Sequence, residues 1–486
     1  MEVIHDLLVI GGGINGAGIA RDAAGRGLSV VLVEREDLAA ATSSASSKMI
    51  HGGLRYLEHY EFRLVAEALA EREVLLRVAH HLSWPTRFVM PHVPELRPRW
   101  MIRIGLFLYD HLARRSPLLP GSHSVRLDQP PYNSGLRPEL KYGFVYSDCR
   151  VDDARLVVVN ALDAALHGAR VLVGVECLSA RRENGLWTAE LSDGTTVRAR
   201  GIVNAAGPWV KLALNQRLGQ ATRDSVRLVK GSHIVLPSLY EGRHAFILQN
   251  DDRRVVFMIP YEDRFTLVGT TDVDFEGDAS DVHASEAEVD YLCRAAGRYL
   301  ARGPSPADVL WRYAGVRPLY DDGSEDPSAI TRDYTLRVDD EQGAAPVLSV
   351  FGGKITTYRK LAEHALEKLA PYFPSMKTAW TAAAPLPGSD FTDREAAKQE
   401  FFRRYPQVAP NILQGVFRRH GVLGGEVLGD GRLGEYYGAG LSERELGYLM
   451  NKEWARSAED VLWRRTKCGL RMTEAQRKRV AQVIRR

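Results

Sequence analysis

The sequence predicts an α/β protein with three parts: a discontinuous Rossmann-like domain, an inserted α+β domain on an antiparallel sheet, and a helical C-terminal domain. Three observations predict it. A loop, Gly11-Gly-Gly-Ile-Asn-Gly16, follows an apolar run. Far downstream a second glycine turn, Phe351-Gly-Gly-Lys-Ile-Thr-Thr-Tyr-Arg359, opens another helical pattern. Between them lie alternating strand-like segments, and the linker Ala382–Asp390 leads into a helix-rich remainder. The expected division is 1–79, 146–213 and 346–381 for the nucleotide domain. Segments 80–145 and 214–345 form a substrate domain, and 390–486 the helical domain.

Each element has a local reason. Asp6 to Ile10 is a short apolar run bounded by a charge and glycines, as in a buried parallel strand. Gly11 allows a tight turn, Gly13 lets backbone approach a pyrophosphate, and Gly16 brings helix and strand together. Ile14 and Asn15 belong to the cofactor-binding loop, and Ala17 to Ala24 is a small, helix-forming run whose first N–H groups face the phosphates. Leu28 to Val33 forms the second strand. Glu34 at its end suits a ribose hydroxyl and repels a 2′-phosphate, which disfavours NADP. FAD and NAD share this fingerprint.

Further residues choose between them. The run Thr42, Ser43, Ser44, Ser47 and Lys48 offers groups for phosphate and ribitol oxygens. His51, Gly52, Gly53 and Leu54, followed by Arg55 and Tyr56, combine pliable backbone with polar side chains, as a closely approached ring system requires. Ala206 and Gly207 end a strand in a small-residue turn, bringing backbone to the cofactor again. At the second glycine turn, Gly353, Lys354 and Thr356 precede a helix whose face is Tyr358, Leu361, Ala362, Ala365, Leu366 and Leu369. Thr356 or Thr357 can cap that helix. Helix N–H groups and the Lys354 ammonium would stabilise the negative charge of a reduced flavin.

Several blocks then resemble one family: Thr42 to Glu73, Lys230-Gly-Ser-His-Ile234, Gly269-Thr-Thr-Asp272, Gly315-Val-Arg-Pro318, Ile330-Thr-Arg-Asp-Tyr334 and Phe351 to Leu369. Together with Glu453–Arg456 and Leu462–Lys467, they resemble the bacterial aerobic, FAD-dependent glycerol-3-phosphate dehydrogenases of the D-amino-acid-oxidase-like flavoproteins. The resemblance implies oxidation of sn-glycerol 3-phosphate at C2 to dihydroxyacetone phosphate, with hydride passing to N5 of a non-covalently held FAD. Electrons continue to ubiquinone or menaquinone at the inner face of the cytoplasmic membrane, where the protein is expected as a peripheral homodimer.

A phosphomonoester needs fixed cations, and Arg55, Arg317, Arg332 and Lys354 stand in turn-rich blocks, with Tyr56 and Thr270 adding hydroxyls. His233 is the expected base, because its ordinary pKa is near neutral. Arg317 is the expected stabiliser of developing alkoxide charge, and Arg332 with Arg55 the phosphate ligands. Alternatives are an oxidase of the same substrate that makes hydrogen peroxide, an amino-acid oxidase of the same superfamily, and a non-catalytic flavin-binding interaction protein.

Composition fits this reading. The 486 residues suit two or three domains, and a net charge of +3 is too small to imply nucleic-acid binding. Four scattered cysteines form no CxxC pair, which points away from structural zinc and towards a reducing, cytoplasmic setting. No apolar run reaches the length of a membrane span, and no secretory signal is expected. Two segments are candidates for lying on a membrane. Pro98 to Tyr109, with Arg114 and Arg115 after it, reads as an interfacial helix or a core helix. The tail Trp463–Arg486 sets nine Lys/Arg against Glu474 alone.

Overall fold

The computed structural model describes residues 3–93, 98–114, 116–222, 224–252, 254–321, 333–341 and 343–485. Its first sheet runs, edge to edge, Thr335–Asp339, Val347–Phe351, Thr196–Asn204, Ile4–Ile10, Val30–Glu34, Arg170–Val173. Neighbours from Val347–Phe351 to Arg170–Val173 are parallel. Such strands are buried on both faces, which is why Leu7, Leu8 and Val9 and then Val31, Leu32 and Val33 run without polar alternation. Helices Ile14–Gly25, Asp153–Leu166 and Tyr358–Leu369 pack into one core with this sheet. The six residues expected on the face of the last helix are all buried.

The second sheet is ordered Val273–Asp274, Val226–Pro237, Phe265–Gly269, Val255–Tyr261, Ala245–Gln249, Ser83–Pro91, Tyr142–Val151, Met49–Ile50. Trp311–Tyr320 also pairs with Val226–Pro237. The hairpin expected around residue 260 is present, with Phe257 opposite Gly269.

Two expected boundaries move. Tyr142–Val151 pairs along its length with Ser83–Pro91, so the chain leaves the antiparallel sheet at Val151 rather than before 146. Thr335–Asp339 pairs with Val347–Phe351, so the nucleotide sheet takes the chain back near 335 rather than 346. A hairpin that finishes a sheet edge carries little periodic signal of its own. Nor does Thr357, at the entrance to Tyr358–Leu369, cap that helix with its side chain; Thr356 Oγ1 instead accepts from His51 N at 3.3 Å.

The C-terminal unit contains helices Arg394–Arg404, Pro410–His420, Glu443–Lys452 and Glu474–Ile484. Buried ion pairs fasten it to the nucleotide domain. Arg155 pairs with Glu453, Arg465 Nη2 lies 2.7 Å from Asp37 Oδ1, and Lys467 Nζ lies 2.8 Å from Asp152 Oδ1. These contacts revise the reading of the basic tail. Arg464, Arg465 and Lys467 are spent on Asp37 and Asp152 inside the protein and are not available to lipid.

Candidate active site

Parallel sheets place ligands beyond the carboxyl ends of their strands, and a cavity of ≈ 400 Å³ opens there, between the two sheets. Its nucleotide end is mostly backbone. Gly11 has φ +109°, and a Cβ on it would stand 2.5 Å from the Ala205 carbonyl oxygen. On Gly16 a Cβ would lie 1.9 Å from Gly11 O, so this glycine lets the helix seat against the loop. The Glu34 carboxylate accepts from Gly12 N at 2.7 Å and Glu36 N at 2.8 Å, while burial pushes its pKa up. Ser43 Oγ accepts from Ile14 N at 3.0 Å, at the helix entrance. Thr42 Oγ1 donates to Val316 O at 2.7 Å and ties this loop to the antiparallel sheet.

The two glycine loops meet. Asn15 Nδ2 donates to Gly352 O at 3.1 Å. Gly352 and Gly353 hold φ of +80° and +103°, and a Cβ on Gly353 would sit 2.8 Å from Asn15 Nδ2. The Lys354 ammonium lies 4.0 Å over the Tyr56 ring, a cation–π contact. His51, Gly53, Leu54, Ala206, Gly207 and Thr356 line the same cavity.

At the opposite end the site is made of side chains. His233 is directly opposite Tyr313 across paired strands, and their rings stack at 4.9 Å and 11°. Its Nε2 is 2.9 Å from Ser47 Oγ. Burial first, then the Arg317 and Lys48 charges, hold its pKa well below the ordinary value, so the ring is neutral near pH 7 and able to take a proton. Arg317 donates through Nη1 to Asp272 Oδ1 at 2.6 Å and through Nη2 to Thr270 Oγ1 at 3.0 Å. Arg55 Nη1 lies 3.8 Å from Asp272 Oδ2. Gly231 leaves room for this cluster, since its Cβ would fall 2.4 Å from Arg317 Nη2. Glu288 binds from behind: Ser232 and Thr271 donate to Oε1 at 2.8 and 2.9 Å. It thereby joins the segments carrying His233 and Asp272.

Most residues singled out from sequence converge here, but four of them do not line the cavity: Gly16, Ser44, Lys48 and Gly52. Lys48 is buried against Asp153, Nζ to Oδ2 2.9 Å, because a buried ammonium needs a carboxylate. Gly52 N donates to Tyr109 Oη at 2.8 Å, in a side-chain network behind the cavity. Arg332 lies outside the described residues. Sequence reasoning gave no role to Asp272 or Tyr313, although Asp272 ends the block Gly269–Asp272, two positions after Thr270; a carboxylate beside the expected phosphate cations was the available signal.

The donor set fits FAD. The cavity pairs a helix N-terminus and glycine backbone with Glu34 at one end and a cation at the other. Asn15 Oδ1, in the lining, is buried and makes no hydrogen bond among the described residues. Comparison with known proteins agrees. The model of the DAO family, FAD dependent oxidoreductases, matches residues 6–359. The chain belongs to this family of FAD-dependent oxidoreductases. Within it, the chain is 54% identical to the aerobic glycerol-3-phosphate dehydrogenase of Escherichia coli (strain K12), over 99% of this chain and 97% of that protein. It is 50% identical to D-erythritol 1-phosphate dehydrogenase of Brucella abortus (strain 2308), over 97% and 96%. Among solved structures it is similar to the glycerol-3-phosphate dehydrogenase from Bacillus halodurans complexed with FAD, with TM-score 0.72, 26% identity and coverage of 100% and 94%.

Proposed function

We propose that this chain oxidises sn-glycerol 3-phosphate at C2 to dihydroxyacetone phosphate and passes the electrons to a membrane quinone. The observation that carries the reading is the meeting of a neutral, buried His233 with the Arg55–Asp272–Arg317 cluster in the cavity bounded by the Gly352–Lys354 turn. The family and the 54% identical relative support it.

FAD, when bound, supplies the two-electron acceptor for the hydride leaving C2. Gly11, Gly13, Ile14 and Glu34 would hold its nucleotide half; Gly353, Lys354 and Thr356 would border its ring. The protein's own groups do the rest. Arg55, with Arg332 from the sequence reading, takes the phosphate, a role suited to planar guanidinium forks. Asp272 orients Arg55 and Arg317 relative to each other. Arg317 stabilises charge developing on the C2 oxygen as its proton leaves, and being permanently charged it is no proton acceptor. His233 accepts that proton, directly or through the Ser47 hydroxyl on its Nε2.

Membrane contact is assigned to helix Arg99–His111. Among the described residues no helix is long and apolar enough to cross a membrane. This helix turns Ile102, Leu106 and Tyr109 inward and leaves Trp100 63%, Met101 47%, Ile104 54% and Phe107 56% exposed along one stripe. An outward apolar stripe with Arg99 and Arg103 beside it suits insertion at the level of lipid headgroups. The reading also includes a homodimer, which sedimentation measures. The D-erythritol 1-phosphate relative favours a second reading, in which longer polyol phosphates share the site.

Anaerobic mixing of the flavin-loaded protein with sn-glycerol 3-phosphate tests the proposal. Bleaching of the flavin band, reversed faster by quinone than by air, is expected. Rapid reversal by air with peroxide formation would instead make it an oxidase; bleaching by D-erythritol 1-phosphate alone would transfer the substrate. For the membrane, Ile104→Glu with Phe107→Glu should reduce co-sedimentation with anionic vesicles by about tenfold, as expected from lost apolar burial. Undiminished binding would remove this helix from the interface.

A further inference from the structure

No side chain of the described C-terminal residues lines the cavity, yet this unit reaches His233 through a row of rings. Trp463 stacks on Trp311 at 4.8 Å and 26°. Trp311 packs against Tyr313 at 4.9 Å, and Tyr313 stacks on His233 at 4.9 Å. Strand register explains the row. His233 is opposite Tyr313 and Val235 opposite Trp311, and alternate residues of a strand share a face.

Tyr313 holds the imidazole in two ways. Its ring fixes the plane of His233 by stacking. Its hydroxyl donates to Ser46 O at 2.9 Å, and the next residue of that loop, Ser47, meets His233 Nε2 at 2.9 Å. The Lys48 ammonium lies 4.9 Å over the same tyrosine ring and is clamped by Asp153. Trp463 in turn is seated from behind. Its neighbours Arg464 and Arg465 both pair with Asp37 of the nucleotide domain, at 2.5 and 2.7 Å.

We propose that Trp463 and Tyr313 are positioning residues for His233, so that the C-terminal unit supports the reacting end of the site. The proposal rests on the reading of His233 as proton acceptor. A base held within a fraction of an ångström works far better than one free to tilt, and misplacement by about 1 Å can cost ~100-fold. A partial loosening from outside the cavity should cost roughly tenfold.

The test is single-turnover flavin reduction by sn-glycerol 3-phosphate in Trp463→Leu, which keeps apolar bulk and removes the stacked ring. Expected is about a tenfold slower reduction, with KM within about twofold of the parent, as for an interaction used in the transition state. Flavin content and melting temperature should stay close to the parent, and Trp463→Phe should recover most of the rate. On a His233→Gln background, Trp463→Leu should add no further loss. Reduction at the parental rate in Trp463→Leu would overturn the proposal. So would a loss that merely tracks missing flavin, or one that persists in full on the His233→Gln background. If His233→Gln alone reduces flavin at the parental rate, the base reading itself fails, and that single variant identifies the failure.

Discussion

The two ends of the cavity are built from different materials. At the nucleotide end, Gly11 and Gly13 bring backbone close, and the Glu34 side chain is itself held by the Gly12 N–H. At the reacting end, His233, Arg55, Arg317 and Asp272 come from separate parts of the chain and are held by other side chains. A backbone site fails when an atom is added, because nothing there can move aside. A side-chain site fails when one charge loses its partner, because the remaining groups then point elsewhere or stay buried unpaired.

That contrast can be broken by substitution. The largest effect on cofactor binding is expected from Gly11→Ala, which places a Cβ 2.5 Å from the Ala205 carbonyl at φ +109°. Flavin content, read from visible absorbance, should fall by more than about tenfold, since both the contact and the φ are unfavourable. Normal flavin content would show that the loop yields. Asp272→Asn comes next. With both arginines released from their shared carboxylate, kcat/KM for sn-glycerol 3-phosphate should fall about tenfold, at unchanged flavin content. A gain in kcat/KM would mean that Asp272 acts by repelling the anionic substrate rather than by orienting its cations.

The smallest effect concerns acid. Burial holds His233 well below its ordinary pKa and His244 down at about 4. Both belong to the antiparallel-sheet domain. Their folded pKa lies below the unfolded value near 6.5, so the unfolded chain binds more protons in that window. Stability is therefore fully present above about pH 6.5 and is lost as pH falls towards 4. Melting temperature should drop across this window, and His244→Gln should flatten the drop. A slope unaffected by that change would assign the acid sensitivity to other groups.

The same contrast decides what could be read in the sequence. The nucleotide end was legible because its parts are local: strand, loop, helix, strand and acid follow one another from Asp6 to Glu34. The second glycine turn was legible for the same reason, although its bond from Asn15 to Gly352 was not. The reacting end was legible only as residue types in resembling blocks. Nothing in the chain announces that Tyr313 lies under His233, because strand register sets that contact, or that Asp272 bridges Arg55 and Arg317, because the three come from segments far apart in sequence. Lys48 shows the converse. Amid hydroxyl residues it reads as a phosphate ligand, yet the buried Asp153 claims it. The basic tail reads as a lipid contact, yet three of its cations turn inward.

The most direct test of the account is single-turnover flavin reduction by sn-glycerol 3-phosphate in His233→Gln. Loss of a positioned base should slow reduction by about 100-fold or more, while the protein keeps its flavin and its affinity for substrate. Reduction at the parental rate would contradict the account, and would leave the proton to a group other than His233.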